Sequence, residues 1–306
     1  MIWGVRLVPS LPDADLPALY RAADRASMAA QRTYLRFVRA DLALIVASAV
    51  FGSCAASTVE LRAVLAVLGA TAFVAGLILT VLLMQMRPDR LWFGGRAVAE
   101  SAKTIAWRYM MGAEPYRKEL TDQEADRRFS EELRKLLRDR SGVAASLGGS
   151  AAAEQQITPR MREIRSEELP TRRRIYAEAR IQDQRIWYAG KACSNRLAST
   201  RWLVLVAVTQ LFGAGAAMAR IFWPDLGFDL ASVLAAAAAA FLAWLQVKQH
   251  QSLAQAYGLA AHELGLIETQ AGHAIAEEAF SSFVADAEAA ISREHTMWVA
   301  RRDVVT

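Results

Sequence analysis

The sequence predicts an all-α integral membrane protein with four transmembrane helices in two hairpins, and with long helices that extend into a cytoplasmic helical bundle. Hydrophobic residues make up 54% of the chain although 22% of its residues are charged, so the two kinds must occupy separate stretches. Charge-free stretches of the length needed to cross a hydrocarbon core predict spans at about 42–59, 63–86, 202–222 and 230–247. No stretch shows a convincing strand alternation. Two buried helical hairpins in a soluble core are the alternative, although core helices rarely run this far without a charged face.

The two halves of the chain follow the same plan. After an N-terminal tail at 1–14, a first module at 15–140 and a second module at 160–306 each contain a basic amphipathic stretch, two spans with a short link, and charged helices. Between them, "SGVAASLGGSAAAEQQITP" at 141–159 is small, polar and rich in glycine, which predicts a flexible linker. The first residues lack the long apolar core of a cleaved signal peptide, so we expect the first span to act as the insertion signal.

Charge predicts the orientation in the membrane. The short links, around Glu60 and Pro224, carry few basic residues, whereas arginines are frequent before the first span and after the second. The positive-inside rule then places both termini and the long central segment in the cytoplasm and the protein in the inner membrane. Residues 87–201 contain 24 Lys or Arg against 16 Asp or Glu. Because acidic residues are interleaved and no recognition module is visible, we expect no nucleic-acid partner and assign this charge to anionic lipid headgroups.

Helical signals also dominate outside the spans. "TDQEADRRFSEELRKLLRDR" begins with Thr121 as an N-cap and Glu124 three residues later, which is the spacing of a capping box. Near the C-terminus, apolar residues recur at helical spacing from Phe280 to Trp298. A single helix is predicted for about 172–222, with an apolar ridge that includes Ile186 and Leu197. Gln184, Tyr188, Lys191 and Asn195 lie on its opposite, polar face.

Small and polar residues form a stripe on each predicted span. Two functions remain open for these stripes: tight packing between helices, or the lining of a conduit. The candidates are Ser48 and Gly52 on the first span, Gly76 and Thr80 on the second, Thr209, Gln210, Gly213 and Ala217 on the third, and Ser232, Ala236, Ala239 and Gln246 on the fourth.

The sequence does not favour an enzyme. It has no nucleophile motif, no phosphate-binding glycine loop and no paired carboxylates, and we expect no catalytic residue and no cofactor. The four histidines lack the spacing that places two metal ligands on one helix face, so no metal is expected either. Cys54 and Cys193 cannot form a disulfide framework or a metal-binding spacing.

Several segments resemble a known family. "RIQDQRIWYAGKACSNR" before a span, the two-span hairpin and a closing "SREHTMWVARR" are similar to the SLATT domain, a two-span membrane module of bacterial conflict systems. "YRAADRASMAAQRTYLRFVRADLAL" and "AKTIAWRYMMGAEPY" resemble another SLATT subtype. The resemblance implies a pore-forming effector of an antiviral system linked to a nucleotide second messenger. The chain departs from the usual plan in carrying two fused modules and no synthetase or sensor domain, so the trigger is expected to come from another protein or a small ligand.

A cytoplasmic gating or ligand site is predicted just before the third span. Trp187, Tyr188, Lys191 and Asn195 offer aromatic faces and a cation that suit an anionic ligand such as a nucleotide, while anchoring between helices is the alternative. The partners expected are the lipid bilayer, further copies of the chain in a homo-oligomer, and a nucleotide signal or sensor protein. Two other functions stay open: a membrane-anchored scaffold or sensor, and a small transporter.

Overall fold

The computed structural model describes residues 11–54, 58–147, 154–224, 227–271 and 275–303. These residues form helices and no β-strand, apart from an isolated bridge between Cys54 and Phe228, so the all-α prediction is confirmed. The helices are α1 (Ala18–Ser53), α2 (Val59–Met86), α3 (Pro88–Met111), α4 (Asp122–Asp139), α5 (Ser141–Ala144), α6 (Pro159–Ser166), α7 (Leu169–Tyr176), α8 (Asp183–Phe222), α9 (Leu230–Lys248), α10 (His250–Ala271) and α11 (Glu277–Asp303).

Three helical stretches in the described part of the chain are long and apolar enough to cross a membrane: Val59–Met111, Leu169–Phe222 and Leu230–Gln270. They contain the predicted spans at 63–86, 202–222 and 230–247. The predicted first span is described only as far as Cys54, because 55–57 lie outside the described residues. The charge-free part of α1, 42–53, is shorter than the stretch of roughly 20 residues that a transmembrane helix needs.

The first residues of α2 lie in what the sequence predicts as a link. Thr58 is the N-cap, and its hydroxyl accepts a hydrogen bond from the Leu61 amide at 3.2 Å. Glu60 and Arg62 therefore belong to the first turn of a helix.

Two residues with positive φ interrupt the long helices. Arg87 (φ 41°) follows α2, and Gln249 (φ 47°) follows α9. This left-handed conformation closes a helix by bonding the amide to a carbonyl in the preceding turn. Pro88 then starts α3, a position where proline loses no helical hydrogen bond. Both breaks come directly after a span, which supports the duplicated plan.

The chain forms two compact units. The span unit comprises Gln31–Pro88 and Ala192–Gln255, and the bundle unit comprises Met1–Ala30, Asp89–Lys191 and Ala256–Thr306. Each unit draws on both halves of the sequence, whereas the predicted modules at 15–140 and 160–306 are contiguous.

Aromatic side chains form much of the bundle core. Trp107, Tyr109, Tyr116, Tyr176 and Phe280 are almost fully buried, and their rings meet mainly edge to face. The predicted capping of α4 is confirmed, since the Thr121 hydroxyl accepts from the Glu124 amide at 3.3 Å. The predicted apolar face of the closing helix is buried from Phe280 to Ile291, while the side chain of Trp298 lies outside the described residues.

The C-terminal end of the predicted linker makes specific contacts. Gln156 accepts a hydrogen bond from the Leu19 amide at 3.0 Å, and the Thr158 hydroxyl donates to the Asp15 carbonyl at 2.8 Å. Residues 148–153 lie outside the described residues. These bonds fix the start of α6 next to the start of α1.

The helix predicted over about 172–222 is confirmed as one helical path, Leu169–Phe222, in which Ala177–Gln182 is π-helical. The facing of its first part differs from the prediction. Gln184 and Tyr188, on the polar face, are buried, whereas Ile186 and Leu197 are exposed on the apolar ridge. The polar face turns inward because Tyr188 packs on aromatic and aliphatic residues of α10, as the next section describes.

Candidate functional site

Three of the predicted gating residues form one aromatic cluster in the bundle unit. Tyr188 is 1% exposed and packs against Tyr257 of α10, with ring centroids 5.7 Å apart. Trp187 meets the same Tyr257 edge to face at 5.5 Å and keeps part of its surface exposed. The Lys191 ammonium lies 5.4 Å from the Trp187 ring centroid. A cation therefore lies on a half-exposed ring, while Tyr188 anchors the helix beneath it.

Asn195, the fourth predicted gating residue, belongs to the span unit. Its side-chain oxygen lies 2.8 Å from Nδ1 of His250, at the start of α10. The amide and imidazole thus hold α8 next to the break that follows α9. None of the described His, Cys, Asp and Glu side chains form a group of three or more that could hold a metal ion.

The small residues of the first hairpin pack α1 against α2. A Cβ placed on Gly69 would lie 3.5 Å from the Ser48 carbonyl oxygen, and one on Gly76 would lie 3.1 Å from Oδ1 of Asp41. Thr80 donates a hydrogen bond of 3.5 Å to the same Asp41 oxygen. Gly52 differs from them, because a Cβ there would meet nothing within 4 Å. Gly76, Thr80 and the Ser48 backbone thus lie in a helix contact.

The candidates on α8 and α9 divide into two groups. Thr209 is buried and donates to the Leu205 carbonyl at 2.8 Å, and a Cβ on Gly213 would lie 3.5 Å from Leu234. Ser232 is used in a cap, since its hydroxyl donates to Asp229 at 2.6 Å. The other candidates face away from their own chain or are half-buried: Gln210, Ala217, Ala239 and Gln246 are exposed and Ala236 is half-buried.

The exposed members belong to two outward stripes of small and polar residues. On α8 the stripe consists of Ala207, Gln210, Ala214 and Ala217, and on α9 of Ser232, Ala235, Ala239 and Gln246. In both, the residues recur at helical spacing and all are exposed. The two stripes place amide side chains on surfaces that the same chain leaves uncovered.

For Arg172 and Arg165, burial in the bundle corrects the assignment of the central basic charge to lipid headgroups. Arg172, the first residue of the "RRR" segment, is 0% exposed and donates to the carbonyls of Met111 and Glu167 and to the Glu277 carboxylate. Arg165 is also buried and donates to the backbone carbonyl of Tyr109 at 3.0 Å, among others. The pKa of nearby Lys118 is lowered by burial and by these two guanidinium groups. Backbone carbonyls of the bundle, together with the Glu277 carboxylate for Arg172, bind these two guanidinium groups.

A buried ion pair, which sequence reasoning missed, lies deeper in the bundle. Arg180 donates two hydrogen bonds to Glu288, from Nε to one carboxylate oxygen at 2.8 Å and from Nη2 to the other at 2.7 Å. Both side chains are almost fully buried. Thr104 donates to the same carboxylate at 2.9 Å and Tyr176 at 3.1 Å. The only available signal was that Glu288 follows Val284 and Ala287 on a helix face otherwise predicted to be apolar.

An open groove runs between α10 and α11. Its volume is about 740 Å³, and its lining is mostly apolar, with Glu263 and Asp286 as charged members. Leu259 and Leu266 line it and remain largely exposed. The groove can take an apolar helix or chain segment.

Two family descriptions match almost the whole chain in succession. "SMODS and SLOG-associating 2TM effector domain 3" matches residues 17–173, and "SMODS and SLOG-associating 2TM effector domain 1" matches residues 176–298. The chain belongs to the SLATT family. It carries two different SLATT domains in tandem, as the resemblance of its segments predicts, and SLATT domains are membrane effector domains of conflict systems. Comparison with curated proteins and with solved structures gave no match.

The two SLATT domains meet inside a helix, and both donate hydrogen bonds to the buried Glu288 carboxylate. The first match ends within α7, and the second begins at the last residue of that helix, Tyr176. Thr104 comes from the first SLATT domain, whereas Tyr176, Arg180 and Glu288 come from the second. One carboxylate therefore accepts hydrogen bonds from both domains.

Proposed function

We propose that this tandem SLATT protein is a regulated pore-forming or channel-like effector of a bacterial antiviral system. It acts as a homo-oligomer in the inner membrane, with four spans and with both termini and the bundle in the cytoplasm. Each matched family is described as a two-transmembrane effector, which supports a fourth span at 42–59. A nucleotide second messenger, or a sensor protein that binds one, supplies the trigger.

The outward stripes carry this proposal. Gln210 lies near the middle of an apolar span and is exposed, between Thr209, which is buried, and Leu211, which is 73% exposed. Lipid chains cannot hydrogen-bond a primary amide, and alanine gains little from contact with them. Another protein surface or a column of water satisfies both kinds of residue. Copies of the chain that meet through these stripes supply the first, and a pore supplies the second.

Dye release from liposomes tests the pore. The purified chain, reconstituted with dye inside the vesicles, is expected to release it when a candidate cyclic or linear oligonucleotide is added. Gln210→Leu should weaken oligomer association about threefold or more, the value of one interhelical hydrogen bond, and slow release accordingly. Phe212→Leu is the matched control, because it changes an exposed neighbour without touching a polar group. Helix content by circular dichroism confirms that each variant is folded, and a folded protein that releases no dye with any nucleotide contradicts a pore that a nucleotide opens directly.

The groove between α10 and α11 favours a second candidate, a membrane-anchored scaffold or sensor. Its apolar lining and exposed leucines suit a partner helix, and such a protein needs its spans only as anchors. Membrane potential in expressing cells separates the two functions. Depolarisation on triggering supports the pore, whereas an unchanged potential with retained partner binding supports the scaffold.

A further inference from the structure

Two cations from different hairpins meet on one tryptophan in the span unit. The Arg39 guanidinium of α1 lies 4.9 Å from the ring centroid of Trp244 in α9, and the Lys248 ammonium lies 5.9 Å from the same ring. Trp244 is 9% exposed, whereas Arg39 is exposed. Both cations thus contact one indole ring at the surface of the unit.

The basic charge on this part of α1 lacks a balancing carboxylate. Arg32, Arg36 and Arg39 are exposed and share one helix face, at spacings of four and three residues. Within the described residues, no carboxylate lies within 4.0 Å of any of the three. Asp41, which follows them in α1, accepts a hydrogen bond from Thr80 instead. A guanidinium on a ring face still has N–H donors at its edge, and these donors can bind an anion from outside the chain.

The depth of the cluster points to the headgroup layer. Helix α9 has 19 residues and is therefore about 28 Å long, close to the thickness of a hydrocarbon core. Trp244 and Lys248 lie in its last turns, where aromatic and basic side chains meet lipid headgroups. The ring centroids of Trp202 in α8 and Trp244 lie 6.3 Å apart, and the next residue along α8, Leu203, is exposed. Apolar surface for an acyl chain is therefore exposed at this level of α8.

We propose that Arg39, Lys248 and Trp244 form a binding site for the phosphate of an anionic lipid headgroup. A guanidinium can bind two phosphate oxygens at once, the ammonium adds a second charge, and the indole contacts the glycerol or the upper acyl chain. Arg36, one turn before Arg39, extends the basic surface. Because Arg39 belongs to the first hairpin and Trp244 to the second, a bound lipid joins the two hairpins. This site is independent of whether the chain forms a pore.

Lipid binding to the intact chain tests the site. The full-length protein in detergent is titrated with phosphatidylglycerol or with phosphatidylcholine, and bound lipid is counted by native mass spectrometry. We expect phosphatidylglycerol to be retained in preference to phosphatidylcholine. Arg39→Gln should weaken its binding about fivefold, the contribution of one basic residue at an anionic surface, and Arg39→Gln with Lys248→Gln should weaken it about 25-fold.

Matched control variants and a parallel titration with inorganic phosphate complete the test. Arg62→Gln removes one charge from the same unit at the start of α2 and should leave phosphatidylglycerol binding within about twofold of the unmodified protein. Arg39→Lys keeps the charge and should retain most of the binding. Equal losses for Arg62→Gln and Arg39→Gln, or no loss for either, would overturn the proposal. Inorganic phosphate that binds as tightly as the lipid would overturn the assignment to a headgroup.

Discussion

Glu288 is a charged group with no exposed surface, held by donors from three helical segments. Thr104, Tyr176 and Arg180 together donate four hydrogen bonds to its two oxygens. Removing a carboxylate from water is costly, and only such a complete set of partners offsets the cost. The pair therefore fixes which face of α11 turns toward α3 and the π segment.

Replacing Glu288 by glutamine should destabilise the bundle. The change leaves Arg180 buried with an uncompensated charge, which costs about 3–5 kcal/mol in comparable pairs. Thermal unfolding of the detergent-solubilised protein, followed by circular dichroism, should show a clearly lower midpoint. Glu124→Gln is the control, because its carboxylate pairs with Arg127 and Arg128 on the surface, and its midpoint should hardly change.

A double variant separates charge from packing. Arg180→Met with Glu288→Leu removes both charges and should recover most of the stability lost in Glu288→Gln. If the single glutamine variant unfolds at the temperature of the unmodified protein, the ion pair contributes nothing to the fold.

The first hairpin offers two glycines in contrasting positions on facing helices. Gly76 of α2 is buried against Asp41, whereas Gly52 of α1 faces open space. Close approach of backbones is what small residues provide between membrane helices. The two positions therefore test whether the small residues of this hairpin hold α1 against α2.

Gly76→Val should lower the unfolding free energy by about 1–3 kcal/mol, because its side chain overlaps the Asp41 carboxylate and pushes the helices apart. Gly52→Val adds the same atoms to open space and should change the unfolding free energy by less than about 0.5 kcal/mol. Unfolding in detergent with increasing denaturant measures both. Equal effects at the two positions would mean that Gly76 does not lie in a helix contact.

The elements themselves could largely be predicted from the sequence. The long charge-free stretches predict the apolar parts of α2, α8 and α9. Thr121 predicts the start of α4 because capping depends only on neighbouring residues. The inward face of α8 could not be predicted, since helical periodicity shows that Tyr188 and Ile186 differ in facing but not which face a distant helix covers. The π segment at Ala177–Gln182 leaves no sequence pattern that periodicity detects.

At the scale of the whole chain, contacts between distant segments determine the features that the sequence does not predict. Arg172 donates to the Met111 carbonyl, 61 positions away, and its burial therefore could not be predicted from its place in a basic segment. The candidate site divides for the same reason: Trp187, Tyr188 and Lys191 meet around Tyr257, whereas Asn195 contacts His250. Each partner lies far along the chain and at no periodic distance.

The two native cysteines can test the proposed topology. Cys193 is exposed before the third span and is expected in the cytoplasm, and half-buried Cys54, at the link of the first hairpin, is expected on the outer side. A membrane-impermeant maleimide should label Cys54→Ser protein only in inverted vesicles. Cys193→Ser protein should be labelled in intact cells permeabilised only at the outer membrane, more slowly because Cys54 is partly covered. The reverse pattern would place the bundle outside, and labelling of both from one side would exclude four spans.

The shared carboxylate also bears on stoichiometry. Since Glu288 of the second SLATT domain accepts a hydrogen bond from Thr104 of the first, the two domain types contact each other within one polypeptide. Any ring or cluster of this chain then contains the two types in equal numbers, and its rotational symmetry counts chains and not domains. Because the two unlike domains share one polypeptide, they form one repeating unit whose composition expression levels cannot alter.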